Sequence, residues 1–408
     1  MNKKEVAELK RRFKKEGCSI QRMAGCYVDG EKHKLCSFTQ TFLNLEDEEF
    51  YKYLDVAKKA LSGTLGNNLI NLEFPIIEEE IGGRQQILMA LRASKLQDEG
   101  LLEAFYDHII DTYDFVGNYL ITIYYDVYDI PMKGTDELAM DESDEVYEYI
   151  LVCINPVTLS KAALGYLEDK NTIGARIRDW VVGVTDTAFL FPAFNERSTD
   201  IHSTLVYTKN AKEPHEEFWE NGLGCKTVQT ATQKKDAFEN MVVQAMGPDN
   251  EDTKDTVLDV QQNLNDYIEI EKEKVEKDAP IFIDGEVVEE LLTEAGIPEQ
   301  KVERIKENFD NFFEDNLPDA NDLLDSRALK NNEIRVEKKQ LQEKVVELTN
   351  QLEEAGIIQK DGSSTDIIIK VDPEKVSEVT KQFVDGRQCI VIPVSDADSA
   401  RVNGEEIE

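Results

Sequence analysis

The segments YLITIYYDVY (residues 119–128) and VYEYILVCI (residues 146–154) determine the fold class of this chain of 408 residues. The first segment is apolar on both of its alternating faces, and the second is a nearly continuous apolar run. Strands that are buried on both faces have this composition, and they lie centrally in a sheet that helices cover. The two segments therefore predict the centre of such a sheet. Residues 132–145, between them, are acidic and poor in apolar side chains, so we expect an exposed loop there.

Further strand patterns lie on both sides of this pair. The dipeptide Asp29-Gly30 separates two apolar runs, Ile20–Tyr27 and Lys32–Phe38, and Asp-Gly in this position predicts a β-hairpin. Runs with helical spacing lie between the hairpin and residue 119, which indicates helices that cover the sheet. Three later strands are expected to continue the same sheet: Ala163–Leu167, Ala188–Phe191 and Ser203–Thr208.

The pattern changes along the rest of the chain, and it divides the protein into four predicted parts. The strand and helix patterns of the whole chain together predict an α+β protein with a mixed, largely antiparallel sheet. A short strand, Pro280–Ile283, is expected within the helical part. The four parts are a mixed α/β domain (1–225), a helical region (226–325), an amphipathic helical segment (326–362) and a small C-terminal β module (363–408).

The amphipathic segment has apolar residues at alternating spacings of four and three, namely Leu341, Val345, Leu348 and Leu352. They cover barely two heptads, whereas three or four are needed to indicate a coiled coil. Two interpretations stay open from the sequence. The helix either packs on its own domain or is an exposed amphipathic helix.

The charge limits the classes of function. The chain has 46 Lys and Arg against 83 Asp and Glu, a net charge of −37, which excludes a protein that coats bulk nucleic acid. Residues 1–40 nevertheless carry +5. Residues 1–15 predict a basic helix that has Val6, Leu9 and Phe13 on one face. Contact with nucleic acid is therefore expected only through residues 1–15, if this helix does not simply pack on the core.

The location is expected to be the cytoplasm. No run of about 18 apolar residues predicts a transmembrane segment, and the basic start of the chain does not have the apolar core of a secretory signal. The chain has six cysteines and no Cys-x-x-Cys pair, a pattern that favours a reducing compartment.

Sequence motifs for catalysis, cofactors and metals are absent. The chain has no Gly-x-x-x-x-Gly-Lys-Ser/Thr, no Gly-x-Ser-x-Gly and no His-Glu-x-x-His. Cys18, Cys26, His33 and Cys36 are close in sequence, but they do not form the two close ligand pairs of a structural zinc site. We therefore predict no catalytic residue, no cofactor and no metal site.

One group of polar residues is a candidate ligand site. Its members flank the apolar run 188–194, at the rim of the predicted sheet, where binding groups are often placed. The arginines could clamp a carboxylate or phosphate, and the histidine could move protons near neutral pH. Alternatively, the arginines and aspartates pair with each other and fix this connection. The candidates are Arg176, Arg178, Asp179, Asn195, Arg197, Asp200 and His202.

Six short segments carry a resemblance to a known family: Cys26–Lys32, Leu61–Gly66, Arg178–Gly183, Phe191–Asn195, Arg197–Ser203 and Val384–Arg387. Together they resemble an uncharacterised family of Gram-positive, largely clostridial proteins, the domain of unknown function 4317. The resemblance extends over nearly the whole chain, although residues 326–362 look like a longer helical insertion than the family would have. It implies a cytoplasmic location and brings no activity, cofactor or catalytic residue.

These observations predict a soluble, intracellular, non-catalytic binding or regulatory protein with a protein partner. Two alternatives stay open. One is an enzyme that acts on a small anionic substrate, a phosphate or carboxylate, through Arg178, Arg197 and His202. The other is a ribosome- or RNA-associated stress factor that contacts RNA through residues 1–15.

Overall fold

The structure is a computed structural model of the full chain. It describes all residues apart from 134–138, 248–250, 276–278, 315, 355–375, 385, 393–400, 403–404 and 407–408. The chain divides into two compact units, Met1–Lys330 and Asn331–Glu408. Residues 366–371, where the sequence pattern also predicts a strand, lie outside the described residues.

Helices and strands follow one another in the order that the sequence periodicity predicts over most of the chain. The helices are α1 (Lys3–Arg12), α2 (Asp47–Ala60), α3 (Ile76–Glu79), α4 (Arg84–Ala93), α5 (Glu99–Thr112), α6 (Ala231–Met246), α7 (Glu251–Lys272), α8 (Gly285–Glu294), α9 (Glu299–Phe313), α10 (Ala320–Leu323) and α11 (Ser326–Glu354). The strands are β1 (Ile20–Val28), β2 (Lys34–Thr41), β3 (Leu69–Glu73), β4 (Asn118–Lys133), β5 (Ala139–Leu159), β6 (Leu164–Leu167), β7 (Thr172–Ala175), β8 (Trp180–Val182), β9 (Thr187–Phe191), β10 (Ala193–Asn195), β11 (Ser198–Asp200), β12 (Ser203–Thr208), β13 (Thr380–Val384), β14 (Arg387–Val391), β15 (Arg401–Val402) and β16 (Glu405–Glu406).

One antiparallel sheet organises the first unit, with strand order β2-β1-β4-β5-β9-β12-β3 and β8 paired to one end of β5. The two segments that predict the centre of the sheet lie in β4 and β5, as expected. The loop expected at residues 132–145 is wrong for the described part of that range, because β4 continues to Lys133 and β5 begins at Ala139, with Ile130 paired to Glu145 and Lys133 to Ala139.

Helices cover both faces of this sheet. On β5, Ile150, Val152 and Ile154 point into the cluster that α4, α5 and Trp219 complete, whereas Leu151 and Cys153 point into the cluster that α1 and α2 complete. This alternation explains the nearly continuous apolar run, since each face of the strand has its own core. The predicted α+β class, with a largely antiparallel sheet, is confirmed.

The helices α6 to α10 build a third hydrophobic cluster around residues such as Phe238, Leu264 and Phe309. The strand expected at Pro280–Ile283 is wrong: Phe282 makes one isolated bridge to Asp319, and no strand forms there. In the second unit, β13 and β14 form a two-stranded antiparallel sheet on either side of the dipeptide Asp385-Gly386, which in sequence predicts a second β-hairpin. The described part of the C-terminal segment therefore contains the predicted small β module.

Candidate functional site

The seven predicted site residues form two separate groups at opposite ends of β5. Arg176, Arg178 and Asp179 lie beside Ser160, just after the end of β5. The segment from Asn195 to His202 lies beside the other end, where Ser198 donates a hydrogen bond to Glu145 (2.8 Å). About 45 Å of extended strand separates residues 145 and 159. One small ligand therefore cannot contact both groups.

The Asn195 group is an internally bonded turn. Asp200 Oδ2 accepts hydrogen bonds from Asn195 Nδ2 (2.5 Å) and Ser203 Oγ (2.6 Å), and Asp200 Oδ1 accepts one from the His202 amide. Burial acts to raise the pKa of Asp200, but these hydrogen bonds outweigh it and hold the pKa below its ordinary value. The exposed His202 ring bonds to Glu79 (2.8 Å), whose hydrogen bond and charge raise the histidine pKa. The group therefore fastens the β10–β11 connection to the sheet.

Arg197 joins this connection to the first helix. Its Nη2 donates to Glu8 Oε1 of α1 (3.1 Å) and to the Pro131 carbonyl (2.9 Å), and the Tyr128 hydroxyl also donates to Glu8 (2.7 Å). Neither Asp179 nor Asp200, the two aspartates of the predicted site, is the partner of Arg197. Glu8 is 189 residues away in sequence, so no local pattern could identify it.

A buried carboxylate continues the same network under α1. Asp126 on β4 is 1% exposed, and it accepts hydrogen bonds from Ser19 Oγ (2.6 Å) and Tyr149 OH (2.5 Å). The Arg12 guanidinium approaches it at 3.5 Å and stacks over the Tyr128 ring at 3.8 Å. Together with the buried Val6, Leu9 and Phe13, these contacts hold α1 against the sheet.

Arg176, Arg178 and Asp179 belong to a projecting segment, residues 159–184, which we call the arm. At its base, β8 pairs with the last residues of β5 so that Leu159 faces Trp180. The neighbouring strand β4 begins at Asn118, which pairs with Val157, so the arm extends beyond the edge of the sheet there. Ser160 fixes the two sides: its amide and side chain bond to the backbone of Asp179, and its carbonyl accepts from Arg178 Nε (2.7 Å).

The outer part of the arm is the hairpin of β6 and β7, which pair only with each other. The expectation that residues 163–167 continue the main sheet is therefore wrong. The segment has the alternating pattern of a strand, but the sequence does not tell which strand it pairs with. Arg176 and Asp179 form a loose ion pair of 4.0 Å at the base of this hairpin, and both side chains are mostly exposed.

One face of the hairpin is apolar and exposed. Cross-strand partners share a face, so Leu164 lies with Ala175, and Tyr166 lies with Ile173. Leu164 is 76% exposed, Tyr166 58% and Ile173 65%. Trp180, at the base, is 54% exposed. On the opposite face of the hairpin, Leu167 packs closely on Gly174. A Cβ atom at position 174 would lie 2.8 Å from Leu167 Cδ1, so this face has no room for a side chain at that position.

The exposed residues of the arm should contribute little to folding stability. We expect Trp180→Ser and Ile173→Ser each to change the free energy of unfolding by less than about 0.5 kcal/mol, as for ordinary surface positions. The matched core substitution is Trp219→Ala, which should cost about 3–5 kcal/mol because Trp219 is fully buried. Urea denaturation followed by far-UV circular dichroism measures all three. A loss above about 1 kcal/mol for either arm variant would contradict the assignment of these residues to a free surface.

A second polar group, missed from the sequence, lies where β9 begins. Asp186 Oδ2 accepts hydrogen bonds from His215 Nε2 (2.7 Å) and from the Tyr113 hydroxyl (2.8 Å). The Tyr113 ring packs against the His215 ring with centroids 5.0 Å apart. The three residues come from distant segments, so no local sequence pattern connects them. The group ties the end of α5 and the loop after β12 to the sheet.

Asp186 predicts a dependence of stability on pH. Burial acts to raise its pKa, but the hydrogen bonds from His215 and Tyr113 outweigh burial and hold the pKa below the ordinary value of about 4. A carboxyl with a lowered pKa stabilises the fold above its unfolded-state pKa, and this contribution is lost as the pH falls through the folded-state pKa. Asp186→Asn should therefore weaken the loss of stability below about pH 4. Urea denaturation at pH 7 and pH 3 measures it, and an unchanged pH dependence would contradict the assignment.

Burial makes three of the cysteines, Cys26, Cys153 and Cys225, poor nucleophiles. All six cysteines are free thiols, and burial raises the pKa of Cys26 to about 12 and also raises the pKa of Cys153 and of Cys225. In the part of the chain that the structure describes, no three His, Cys, Asp or Glu side chains are placed to hold a metal ion. Within the same residues, no helix has the length and apolar content needed to cross a membrane.

Comparison with known proteins gives a family without a known activity. No curated protein matches the chain. The family described as "Domain of unknown function (DUF4317)" matches residues 1–405, a span that includes the arm, the Asp126 network and α11. The resemblance drawn from six short segments is confirmed at the level of the family. The chain is a member of the DUF4317 family.

Proposed function

We propose that the protein is a non-catalytic binding protein that docks another protein on its arm. The observation that carries this proposal is the exposed apolar face of the β6–β7 hairpin, formed by Leu164, Tyr166 and Ile173. Contiguous exposed apolar surface of this kind is typical of protein interfaces, and Tyr and Trp are among the residues that contribute most to binding.

The energetics of the hairpin support the same function. A two-stranded hairpin is marginally stable in water when nothing packs on it. This hairpin pairs with no strand of the main sheet, and its apolar face points to solvent. A partner that covers this face would remove apolar side chains from water, and each fully buried large side chain contributes about 1.5–3 kcal/mol.

Charge indicates the kind of partner. The arm has four bases and three acids between residues 160 and 182, whereas the whole chain carries −37. Lys161, Lys170, Arg176 and Arg178 are all exposed, so the arm is one of the less acidic surfaces of the molecule. We infer a partner protein with an apolar patch rimmed by carboxylates, because such a rim would be repelled by the rest of this chain and attracted by the arm.

The two alternative functions fit the positions of their residues less well. The enzyme hypothesis needs Arg178 to act together with Arg197 and His202, and the strand β5 separates them. The RNA hypothesis needs a free α1, and the apolar face of α1 packs in the core. We further propose that the protein works in the reducing cytoplasm, which its six free thiols support, and that it comes from a clostridial bacterium, which the resembling segments support.

Site-specific photocrosslinking tests the proposed function. A photoreactive phenylalanine analogue replaces Ile173 in the full chain, expressed in its native cells. The control carries the analogue at Ile81, which is fully exposed and lies outside the arm. We expect a discrete protein adduct from position 173 and none from position 81.

The adduct is then tested with pure components. The crosslinked protein is identified, purified and titrated with the wild-type chain and with a Tyr166→Ser variant. Specific binding that the arm substitution weakens supports the proposal. Equal adducts at both positions, or a purified partner that binds both chains equally, would refute it.

A further inference from the structure

We propose that α11 pairs in antiparallel orientation with α11 of a second copy of the chain. The helix has 29 residues, Ser326–Glu354. Its sequence pattern left two interpretations open, a helix packed on its own domain or an exposed one. The structure places the apolar positions on the surface: Leu341 is 65% exposed, Val345 61% and Leu348 49%.

These residues form one continuous seam, because Ile334 and Leu352 extend it at both ends. The spacings from Ile334 through Lys338 to Leu352 alternate between four and three, which is the heptad pattern of helices that pair. The seam is about 27 Å long at 1.5 Å per residue. Lys338 is its one charged position.

The distribution of charge along α11 indicates which helix packs against the seam. In sequence, residues 326–340 have five bases and two acids, and residues 341–354 have one base and four acids. The net charges of +3 and −3 oppose the helix macrodipole, which favours acids near the N-terminus and bases near the C-terminus. A second α11 in antiparallel orientation brings each half against a half of opposite charge. It also aligns the two helix dipoles favourably.

Individual positions support the antiparallel register. With Leu341 facing Val345 of the second copy, Ile334 faces Leu352, and Lys338 faces Leu348, along whose side chain its aliphatic stem can lie. The one like-charge contact is Lys344 with its own equivalent at the symmetry axis. A parallel pair would instead place Lys338 against Lys338 inside the seam.

Sedimentation velocity on the full chain over a wide concentration range tests this pairing. The seam variant is Leu341→Gln with Val345→Gln, and the control is Val336→Gln with Val346→Gln, two exposed positions of the same helix outside the seam. Glutamine is a good helix former, so the helix persists in both, which circular dichroism checks. We expect a reversible dimer for wild type and control, and a dimer dissociation constant raised about 100-fold or more in the seam variant.

Orientation is tested with cysteines. Differently tagged chains that carry Ile334→Cys and Leu352→Cys are mixed and oxidised, and Ile334→Cys alone is the parallel control. The proposal predicts the mixed crosslink in excess over the crosslink of Ile334→Cys with itself. A wild-type monomer at every concentration, a seam variant that dimerises like wild type, or a dominant Ile334→Cys self-crosslink would each overturn it.

Discussion

Replacing Asp126 by alanine is expected to lower the free energy of unfolding by about 3–5 kcal/mol, because the change breaks a buried charged network. The carboxylate is buried, and it accepts hydrogen bonds from Ser19 and Tyr149 and faces the Arg12 guanidinium. Without it, a buried hydroxyl and a mostly buried cation are left without their acceptor, which costs more than the net value of the interactions themselves.

The control for this prediction lies three residues further along the same strand. Asp129 is exposed, and Asp129→Ala should change the free energy of unfolding by less than about 0.5 kcal/mol. Urea denaturation followed by tryptophan fluorescence is suitable, because Trp180 and Trp219 both lie in the first unit. A loss below about 1 kcal/mol for Asp126→Ala would show that the network does not hold α1 to the sheet.

The second large effect is expected in binding. Once the partner of the arm is purified, Trp180→Ser should weaken its affinity about 30-fold or more, since an aromatic residue that an interface buries contributes about 2 kcal/mol or more. The matched control is Ile77→Ser, which changes another exposed apolar residue outside the arm and should leave the affinity unchanged. Isothermal titration calorimetry measures both. Equal affinities of the two variants would exclude Trp180 from the interface.

Most of the fold could be predicted because the sequence patterns that identify its strands and hairpins are local. The apolar segments 119–128 and 146–154 identify the central strands, since a strand with a core on each face must be apolar on each face. The two Asp-Gly dipeptides identify hairpins. The loop expected at residues 132–145 was wrong where β4 and β5 extend into that range, because composition alone does not determine whether a segment pairs as a strand.

The sites were less predictable because their partners are distant in sequence. Arg197 binds Glu8 and Asp186 binds Tyr113, and no spacing rule connects such residues. The arm shows a different difficulty. Its alternating pattern predicts a strand correctly, but alternation does not distinguish a strand in the main sheet from one in a separate hairpin. The exposure of Trp180 became visible only in the structure, where β8 pairs with the end of β5.

The central claim, that the arm binds a partner and does not support the fold, is tested most directly by removing the outer arm. Ser160 and Asp179 are already hydrogen-bonded neighbours, so Asn-Gly in place of residues 161–178 would close a two-residue hairpin between β5 and β8. The decisive measurement is titration of the crosslinked and purified partner with this shortened chain, after a thermal melt has confirmed that it is folded. We predict an unchanged melting temperature and no detectable binding. Binding at wild-type affinity by the folded, shortened chain would contradict the account.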